Sequence, residues 1–223
     1  MTKNMLIFFG PPGSGKGTQA ELLCQELDWH KISVGELLRR ELKLGSQIGE
    51  KARKYIVNGE LVPVTLIDSL VKRNLEKHKN RSGFVFDGYP RNLEQNRDFF
   101  KIIKNVFNDA YNIHALEIYL NDSEVKERLE NRLACVCGAV YHKKYNPPRH
   151  KDKCDVCGKK LFIRSDDKPN VISRRLKVYQ QESEPLIKFW EESGKLIKIN
   201  GEKSISSIRQ NIMYKLRAFK IIN

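Results

Sequence analysis

The chain has 223 residues, enough to bury a core as one domain with insertions or as two small domains. Its longest apolar stretches, such as residues 6–9, are too short for a bilayer span of roughly 18 residues or for a secretory signal, so we expect a cytoplasmic protein without a membrane partner. The formal charge of +14, from 41 Lys+Arg against 27 Asp+Glu, favours an anionic partner, which could be nucleic acid, acidic membrane or a phosphorylated small molecule.

The first predicted element is a buried strand at residues 5–9, where a short apolar run ends in the turn-forming sequence Gly-Pro-Pro-Gly at residues 10–13. A helix should follow this loop. Apolar residues there recur at positions i, i+3, i+4 and i+7, and these are Ala20, Leu23, Cys24 and Leu27. One face of the helix should therefore pack on the sheet, with Cys24 as a core thiol.

Two capping boxes predict where the next helices begin. Ser33 is followed three residues later by Glu36, and Thr65 is followed in the same way by Asp68. Each pair opens a stretch with the apolar spacing of a helix. We therefore expect one helix to start at Ser33 and another at Thr65.

The rest of the chain continues to alternate strands with helices. Residues 84–86, 114–120 and 195–199 read as strands, and residues 92–107 read as a helix. A final amphipathic helix is marked by Ile205, Ile208, Ile212, Leu216 and Phe219. This alternation predicts an α/β fold with a parallel sheet that is covered by helices on both faces.

A phosphate-binding loop is predicted at residues 10–18, which read GPPGSGKGT and fit the pattern G-x-x-x-x-G-K. Gly17 stands where Ser or Thr is usual, and Thr18 follows one place later. Glycines let the backbone aim successive N–H groups at phosphate oxygens, and Lys16 can reach the β- and γ-phosphates. The candidate phosphate-binding residues are Gly13, Ser14, Gly15, Lys16, Gly17 and Thr18.

The chain also resembles a known family in the order of its motifs. Residues 87–91 read Asp-Gly-Tyr-Pro-Arg and are followed by Gln95, while the phosphate loop ends in Gly-Lys-Gly-Thr. These look like the signatures of adenylate kinases, and the resemblance covers essentially the whole chain. Further matching positions are residues 32–35, Arg39, residues 59–62, Arg128, Arg132, residues 140–142, residues 146–148, residues 164–167 and Arg175.

The resemblance implies a three-layer P-loop fold with a parallel-sheet core and two mobile inserts. The core would comprise residues 1–32, 63–128 and 167–223. Residues 33–62 would form a helical insert that binds the nucleoside monophosphate, and residues 129–166 would form a small lid of the zinc type. The resemblance to this family also favours a monomer.

The resemblance also implies roles for individual residues in binding ATP and AMP. Beyond the phosphate loop, ATP would be bound by Arg128, Arg132, Val140, Tyr141 and Lys203. AMP would be bound by Val34, Arg39, Gly59, Glu60, Leu61, Val62, Gly88, Tyr89, Pro90, Arg91, Gln95, Arg164 and Arg175. Asp87 would hold Mg²⁺ through its bound water, since Mg²⁺ keeps several waters and uses few carboxylates.

The reaction implied is reversible phosphoryl transfer from Mg-ATP to AMP, which gives two molecules of ADP. Two polyanions must meet, so the protein has to supply positive charge and alignment. The catalytic cations would be Lys16, Arg91, Arg132, Arg164 and Arg175. The nucleophile is already an anionic phosphate oxygen, so no general base is needed. Closure of the lid would exclude water and assemble the site.

The cysteines indicate a metal site in residues 135–164, a segment rich in Lys, Pro, Gly and Cys that looks like a small inserted module. Cys154 and Cys157 form a C-x-x-C pair, whereas Cys135 and Cys137 are one residue closer together than the family pattern. Both of the closer thiolates can reach one ion only if the backbone turns sharply. Three alternatives remain open: structural Zn²⁺ on all four cysteines, Zn²⁺ on three cysteines plus another ligand such as His142, and no metal.

Three classes of function are compatible with the sequence. The first is an adenylate kinase, the second is a monophosphate kinase with another base preference, and the third is a nucleic-acid-binding ATPase with a zinc ribbon. Residues 87–91 with Gln95 argue against the third class, because a nucleic-acid motor needs no dedicated monophosphate pocket. We therefore expect the small-molecule substrates ATP, AMP and ADP, and no nucleic-acid partner.

Overall fold

The computed structural model describes residues 2–222, which form an α/β fold around a parallel sheet. The strands are β1 (Lys3–Phe9), β2 (His30–Ser33), β3 (Gly83–Asp87), β4 (Tyr111–Tyr119), β5 (Arg132–Ala134), β6 (Val140–His142) and β7 (Leu196–Asn200). Five of them form the main sheet in the order β2-β3-β1-β4-β7, and every neighbouring pair is parallel. The strands predicted at residues 5–9, 84–86, 114–120 and 195–199 are confirmed.

Helices connect these strands and cover the sheet. They are α1 (Lys16–Leu27), α2 (Val34–Lys43), α3 (Gln47–Asn58), α4 (Val64–Lys77), α5 (Leu93–Phe107), α6 (Asp122–Glu130), α7 (Pro169–Val178), α8 (Glu184–Glu192) and α9 (Ile205–Ala218). A π-helical turn (Tyr179–Ser183) joins α7 to α8. Within residues 2–222, no helix combines the length and the apolar character that a membrane span requires.

The core consists of two apolar clusters, one on each face of the main sheet. Alternate side chains of a strand point to opposite faces, so Met5 and Ile7 enter one cluster while Leu6 and Phe8 enter the other. Helices lie on both faces, which is why the central strands are continuous apolar runs. Cys24 lies in the second cluster, as predicted, and burial raises the pKa of its thiol to about 12.

The predicted helix starts are correct only in part. Ser33 is the N-cap of α2, but its side chain does not cap the helix, because its hydroxyl donates to Asp87 Oδ2 at 3.2 Å. Thr65 does not begin a helix, since Pro63 is the N-cap of α4 and Thr65 already lies inside it. The capping-box interpretation of both motifs was therefore wrong. Asn92 does cap α5, and its side chain accepts from Gln95 N.

Two insertions, residues 33–62 and the segment that begins with β5, lie beside the carboxyl ends of the sheet strands. Helices α2 and α3 form most of residues 33–62, and they pack against the core. Strands β5 and β6 pair antiparallel to begin the second insertion, which turns and isolated bridges complete. The lid boundary expected at residue 129 falls inside α6, where Leu129 packs with Val125, Ile172 and Leu176. In the structure the lid therefore begins after Glu130.

Candidate active site

The loop between β1 and α1 has the shape that phosphate binding requires. Gly10, Gly13 and Gly15 have φ angles of 138°, 83° and 87°. A Cβ on Gly10 would lie 2.2 Å from the carbonyl oxygen of Ile118, so both its conformation and its surroundings require glycine. Lys16 opens α1 directly after the loop, at the helix end that attracts anions.

Lys16 is held under the loop by three acceptors. Its Nζ donates to the carbonyl oxygens of Gly10 at 2.7 Å and Pro11 at 2.8 Å, and to Ser14 Oγ at 3.3 Å. The pKa of this amine is lowered to about 7, chiefly by burial; Asp87 opposes the change and nearby arginines add to it. A bound polyphosphate would supply nearby negative charge, which favours the protonated form of this amine.

A cleft of about 860 Å³ runs from the phosphate loop to both insertions. Nearly all of the predicted nucleotide-binding residues line it. They are Gly13, Ser14, Gly15, Lys16, Gly17, Thr18, Val34, Arg39, Gly59, Glu60, Leu61, Val62, Asp87, Gly88, Pro90, Arg91, Gln95, Arg128, Arg132, Val140, Tyr141, Arg164, Arg175 and Lys203. Residues far apart in the chain thus meet around one space.

The exception among the predicted residues is Tyr89. Its side chain is fully buried, its hydroxyl donates to Asp68 Oδ1 at 2.9 Å, and its ring contacts the edge of Phe99. Tyr89 therefore packs into the core while its neighbours Gly88 and Pro90 line the cleft. The structure does not place the Tyr89 side chain at the site.

Arg91 is positioned by contacts on both sides of its backbone. Its N–H donates to Gln95 Oε1 at 2.8 Å, and its carbonyl accepts from Ser183 Oγ at 2.9 Å. The guanidinium Nε donates to the carbonyl of Gly88 at 2.9 Å. Burial lowers the pKa of Arg91, whereas Asp87 and Asp166 act in the opposite direction. The loop after β3 and the π turn thus fix this side chain in the cleft.

Two carboxylates without a predicted role, Asp166 and Asp167, hold two of the predicted arginines, one in β5 and one in α7. Arg132 forms a two-pronged ion pair with the buried Asp167, with Nε donating to Oδ2 at 2.7 Å. Arg175 donates from Nη1 to Asp167 Oδ1 at 3.0 Å and pairs with Asp166 at 3.2 Å. The only sequence signal was the pair of acidic residues directly after the matching Arg164-Ser165.

The arginines around Asp166 and Asp167 carry more positive charge than these two carboxylates neutralise. They are Arg39, Arg132, Arg164 and Arg175. Burial lowers the pKa of Arg164 to about 10, and the charges of Arg132 and Arg39 act in the same direction. The pKa of Asp166 is lowered although burial opposes this, because Arg175 and its neighbours favour the carboxylate. The cleft is therefore prepared for an anion with several negative charges.

Asp87 stands at the carboxyl end of β3, beside the phosphate loop. Its Oδ2 accepts from Ser33 Oγ, and a Cβ on Gly17 would lie 3.3 Å from the same oxygen. This geometry gives a physical reason for glycine at the motif position where Ser or Thr is usual. A larger residue there would crowd the carboxylate that a hydrated Mg²⁺ would approach.

Arg128 lies at the end of α6 and lines the cleft. Its Nε donates to Glu124 Oε1 at 2.8 Å, and Nη2 donates to the carbonyl of Gly201 at 2.9 Å. The guanidinium lies over the ring of Tyr145, 5.2 Å from its centroid, and the Tyr145 hydroxyl also donates to Glu124. Tyr145 was not predicted, because no phosphate-binding chemistry marks a lone tyrosine.

The four lid cysteines form one cluster despite the short C-x-C spacing. Their sulfur atoms all lie within 4.8 Å of one another, with 3.4 Å between Cys135 and Cys157 and 3.6 Å between Cys137 and Cys154. Four sulfurs about 2.3 Å from a tetrahedral Zn²⁺ would be about 3.8 Å apart, so the donor set fits this ion. The cluster does not include His142, whose Nδ1 accepts from two backbone N–H groups.

The required sharp turn is present in the C-x-C half. Gly138 N donates to the carbonyl of Cys135 at 3.0 Å, and Gly138 has a φ of 100°. Cys135 N in turn donates to the carbonyl of Ala139, which closes the hairpin. The left-handed glycine lets Cys135 and Cys137 direct both sulfurs to one point although only one residue separates them.

The phosphate loop, the carboxylate on the neighbouring strand and the arginines under a small lid define the class of P-loop nucleotide kinases. The family model described as Adenylate kinase matches residues 8–195. The chain is 38% identical to an adenylate kinase from Methanosarcina barkeri (strain Fusaro / DSM 804), and the match covers 96% of this chain and 99% of the relative. It is also 38% identical to an adenylate kinase from Petrotoga mobilis (strain DSM 10674 / SJ95), and that match covers 96% of this chain and 98% of the relative. An adenylate kinase from Archaeoglobus fulgidus is 38% identical over 208 residues, which are 93% of this chain and 95% of the relative.

The chain belongs to the adenylate kinase family. This confirms the fold class and the ATP:AMP phosphotransferase activity that the sequence motifs predict.

Proposed function

We propose that this chain transfers the γ-phosphoryl group of Mg-ATP to the phosphate of AMP between two inserts that close over the cleft. The observation that carries this assignment is the convergence of the catalytic cations on one space beside Asp87. These cations are Lys16, Arg91, Arg132, Arg164 and Arg175. An acceptor and a donor that both carry negative charge can approach each other only where such charge compensation exists.

The ATP half of the cleft consists of the phosphate loop and the surfaces next to it. Backbone N–H groups of residues 13–18 would bind the phosphates, and Lys16 would bridge the β- and γ-phosphates. The adenine would lie toward Arg128 and Lys203, under the lid strand that carries Val140 and Tyr141. Asp87 would accept hydrogen bonds from the water shell of the Mg²⁺ that accompanies ATP.

The AMP half lies between the helical insert and the loop after β3. The base would lie among the apolar side chains of Val34, Leu61 and Val62, and Gln95 also lines the cleft. The AMP phosphate would be bound by Arg39 and Arg91. A planar guanidinium can bind two phosphate oxygens at once, which fixes the orientation of the acceptor.

The chemistry follows from charge and distance. An anionic phosphate oxygen of AMP attacks the γ-phosphorus as the bond to the β-phosphate bridging oxygen breaks, so no protein base is required. Arg132, Arg164 and Arg175 would neutralise the charge on the moving group. Asp167 keeps Arg132 and Arg175 together in a defined geometry. This preorganisation reduces the rearrangement that must accompany the reaction.

Two segments would move during each cycle, residues 33–62 over AMP and residues 131–166 over ATP. Closure would exclude water, which could otherwise hydrolyse ATP, and it would bring Arg132 and Arg164 to the phosphates. The family resemblance further supports a monomer that acts in the cytoplasm and binds neither nucleic acid nor membrane.

The lid would be ordered by one structural Zn²⁺ on Cys135, Cys137, Cys154 and Cys157. The close approach of the four sulfurs supports this ligand set. Four protein ligands leave no open position on the ion, so its role would be to cross-link a lid that buries few apolar residues. The reaction itself would not involve this metal.

The decisive experiment is a coupled assay that offers AMP, GMP, CMP and UMP in turn with Mg-ATP. We expect turnover with AMP to exceed turnover with the other three. A clear preference for another monophosphate would assign a kinase of different base specificity. Salt-sensitive binding to DNA or RNA, without formation of ADP from ATP and AMP, would contradict the kinase assignment altogether.

A further inference from the structure

Tyr141 lies between the cysteine cluster and the nucleotide cleft. It is the central residue of β6, opposite Leu133 in the lid hairpin, and it is 6% exposed. Its ring belongs to the small apolar cluster of the lid, which also contains Cys135, Cys154 and Leu161. The residue also forms part of the cleft wall. One side chain thus contacts two regions that have different chemistry.

The Tyr141 hydroxyl has two hydrogen-bond partners, and both belong to the second cysteine pair and the residue next to it. The oxygen accepts the backbone N–H of Asp155 at 2.8 Å. It also lies 3.5 Å from Cys154 Sγ. A sulfur bound to a metal is a thiolate and can only accept, so with Zn²⁺ bound the single phenolic proton would be donated to it.

We infer that Tyr141 is a positioning residue that orients the Cys154 thiolate and thereby couples metal occupancy of the lid to ATP binding. The inference rests on the proposed four-cysteine Zn²⁺ site. The hydroxyl attaches the second cysteine knuckle (residues 154–157; the first knuckle is residues 135–138) to β6, and β6 is the strand under which ATP would lie. Groups that hydrogen-bond to metal ligands fix ligand orientation and contribute strongly to metal affinity.

The cleft wall supports the coupling from a second direction. Cys137, Gly138 and Val156 line the same space as Tyr141, so both knuckles reach the cleft. ATP that packs under β6 would restrict the opening movements through which the metal leaves. Because binding linkage is reciprocal, the metal must tighten ATP binding by the same factor by which ATP tightens metal binding.

The test compares Tyr141→Phe with Tyr145→Phe in the full-length protein. Tyr145 is a second lid tyrosine beside the cleft, but its hydroxyl donates to Glu124 and not to a sulfur. Each protein is loaded with one equivalent of Co²⁺ or Zn²⁺. The measurements are the thiolate-to-Co²⁺ absorption bands and the rate of Zn²⁺ transfer to a chromogenic chelator, with and without a non-hydrolysable ATP analogue.

We expect Tyr141→Phe to shift the Co²⁺ bands, to release Zn²⁺ about 10-fold faster and to lose most of the protection given by the analogue. Tyr145→Phe should retain the wild-type bands and release rate. Wild-type bands and release in Tyr141→Phe would overturn the inference, as would equal acceleration in both variants, which indicates general loosening of the lid. A wild-type protein that binds neither ion would refute the Zn²⁺ site itself while leaving the kinase assay unaffected.

Discussion

The two inserts beside the cleft are stabilised in different ways. Val34, Leu38 and Ala52 of the helical insert belong to the same apolar cluster as the sheet strands. The buried residues of the lid form a separate cluster around Leu133 and the cysteines. The insert therefore shares the stability of the core, whereas the lid must supply its own. A segment this small cannot do so by apolar burial alone.

The lid also differs from the helical insert in its contacts with the core, which include ion pairs. The lid meets the rest of the molecule through the ion pairs of Arg132 with Asp167 and of Lys144 with Glu127. Val136 and Val156, at the tips of the two knuckles, are 50% and 76% exposed. Polar contacts can break and reform more readily than an apolar core can. A lid ordered by its own metal and joined to the core by polar contacts would therefore open as a unit without unfolding.

The largest effect should follow removal of the metal, which tests whether the lid depends on its own cross-link. Cys154→Ser, or treatment with a strong chelator, should abolish Zn²⁺ binding and unfold the lid, because structural Zn²⁺ contributes on the order of 10 kcal/mol in small domains. Hydrogen exchange should rise in residues 131–166 before it rises in the sheet. Because of the bend in the C-x-C half, the metal should also leave more readily than from two C-x-x-C pairs.

Cys24→Ala is the matched control for this prediction, since Cys24 is a buried core thiol far from the cluster in the fold. It should lower core stability and retain one equivalent of Zn²⁺. Elemental analysis that finds no Zn²⁺ in wild-type protein prepared without chelator would contradict the idea. So would a Cys154→Ser protein with wild-type melting and exchange.

A pair of leucine substitutions sharpens the comparison between the inserts. Leu38→Ala removes a buried side chain from the insert, and we expect it to lower the free energy of global unfolding by about 2–5 kcal/mol. Leu133→Ala makes the same change in the lid cluster and should leave the main urea transition in place while exchange rises in the lid. Equal loss of global stability in both variants would show that the lid and the core unfold together.

Arg91→Ala tests a proposed catalytic cation of the cleft. Arg91 belongs to neither insert, so its loss should leave both folded while turnover falls ~10²-fold or more, as for other groups that stabilise transferred charge. Steady-state kinetics and thermal melting measure the two effects separately. Arg91→Lys should recover only part of the rate, because an ammonium cannot bind two oxygens in one plane. Retention of more than about a tenth of wild-type activity would refute the role.

The pH dependence of nucleotide binding tests the state of Lys16 in the open cleft. Burial lowers its pKa from 10.5 to about 7, so above pH 7 the free folded protein carries mostly a neutral amine. A bound polyphosphate favours the charged form, so binding must take up a proton. The association constant of an ATP analogue should therefore fall as pH rises above 7, by at most about tenfold per unit.

Calorimetry in buffers with different ionisation enthalpies detects the uptake directly. Near pH 8 the measured enthalpy should vary with the buffer in the wild type and much less in Lys16→Gln. A Lys16→Gln protein with the wild-type buffer dependence would assign the proton to another group.

The sequence predicts best those features that depend on neighbouring residues. The phosphate loop requires glycines at fixed spacing, and each sheet strand requires a continuous apolar run, so both can be read from the sequence directly. The direction of the Tyr89 side chain cannot be read in this way, because it depends on the hydrogen bond to Asp68 and on packing in the core. The hydrogen bond from Ser33 Oγ to Asp87 and the ion pair of Arg132 with Asp167 cannot be read from the sequence either. Both depend on contacts between segments that are distant in the chain.

The smallest effect concerns base recognition in the helical insert. Val34 opens α2, is 3% exposed and lines the cleft where the AMP base would lie. Val34→Thr keeps the shape and adds a hydroxyl that could bond to the base, and one such neutral bond contributes roughly 0.5–1.5 kcal/mol. We expect the apparent Michaelis constant for AMP to fall about 2- to 10-fold, with little change in kcat.

The outcome of Val34→Thr depends on whether the new hydroxyl finds a partner before AMP binds. A buried hydroxyl without one costs about 1–3 kcal/mol, which lowers stability independently of substrate. Val71→Thr, at a fully buried site outside the cleft, measures that cost alone. If both variants lose similar stability and only Val34→Thr binds AMP more tightly, the hydroxyl contacts the base. An unchanged or raised Michaelis constant in Val34→Thr would mean that Gln95 and the backbone already fix the base, so that the apolar wall contributes shape and no hydrogen bond.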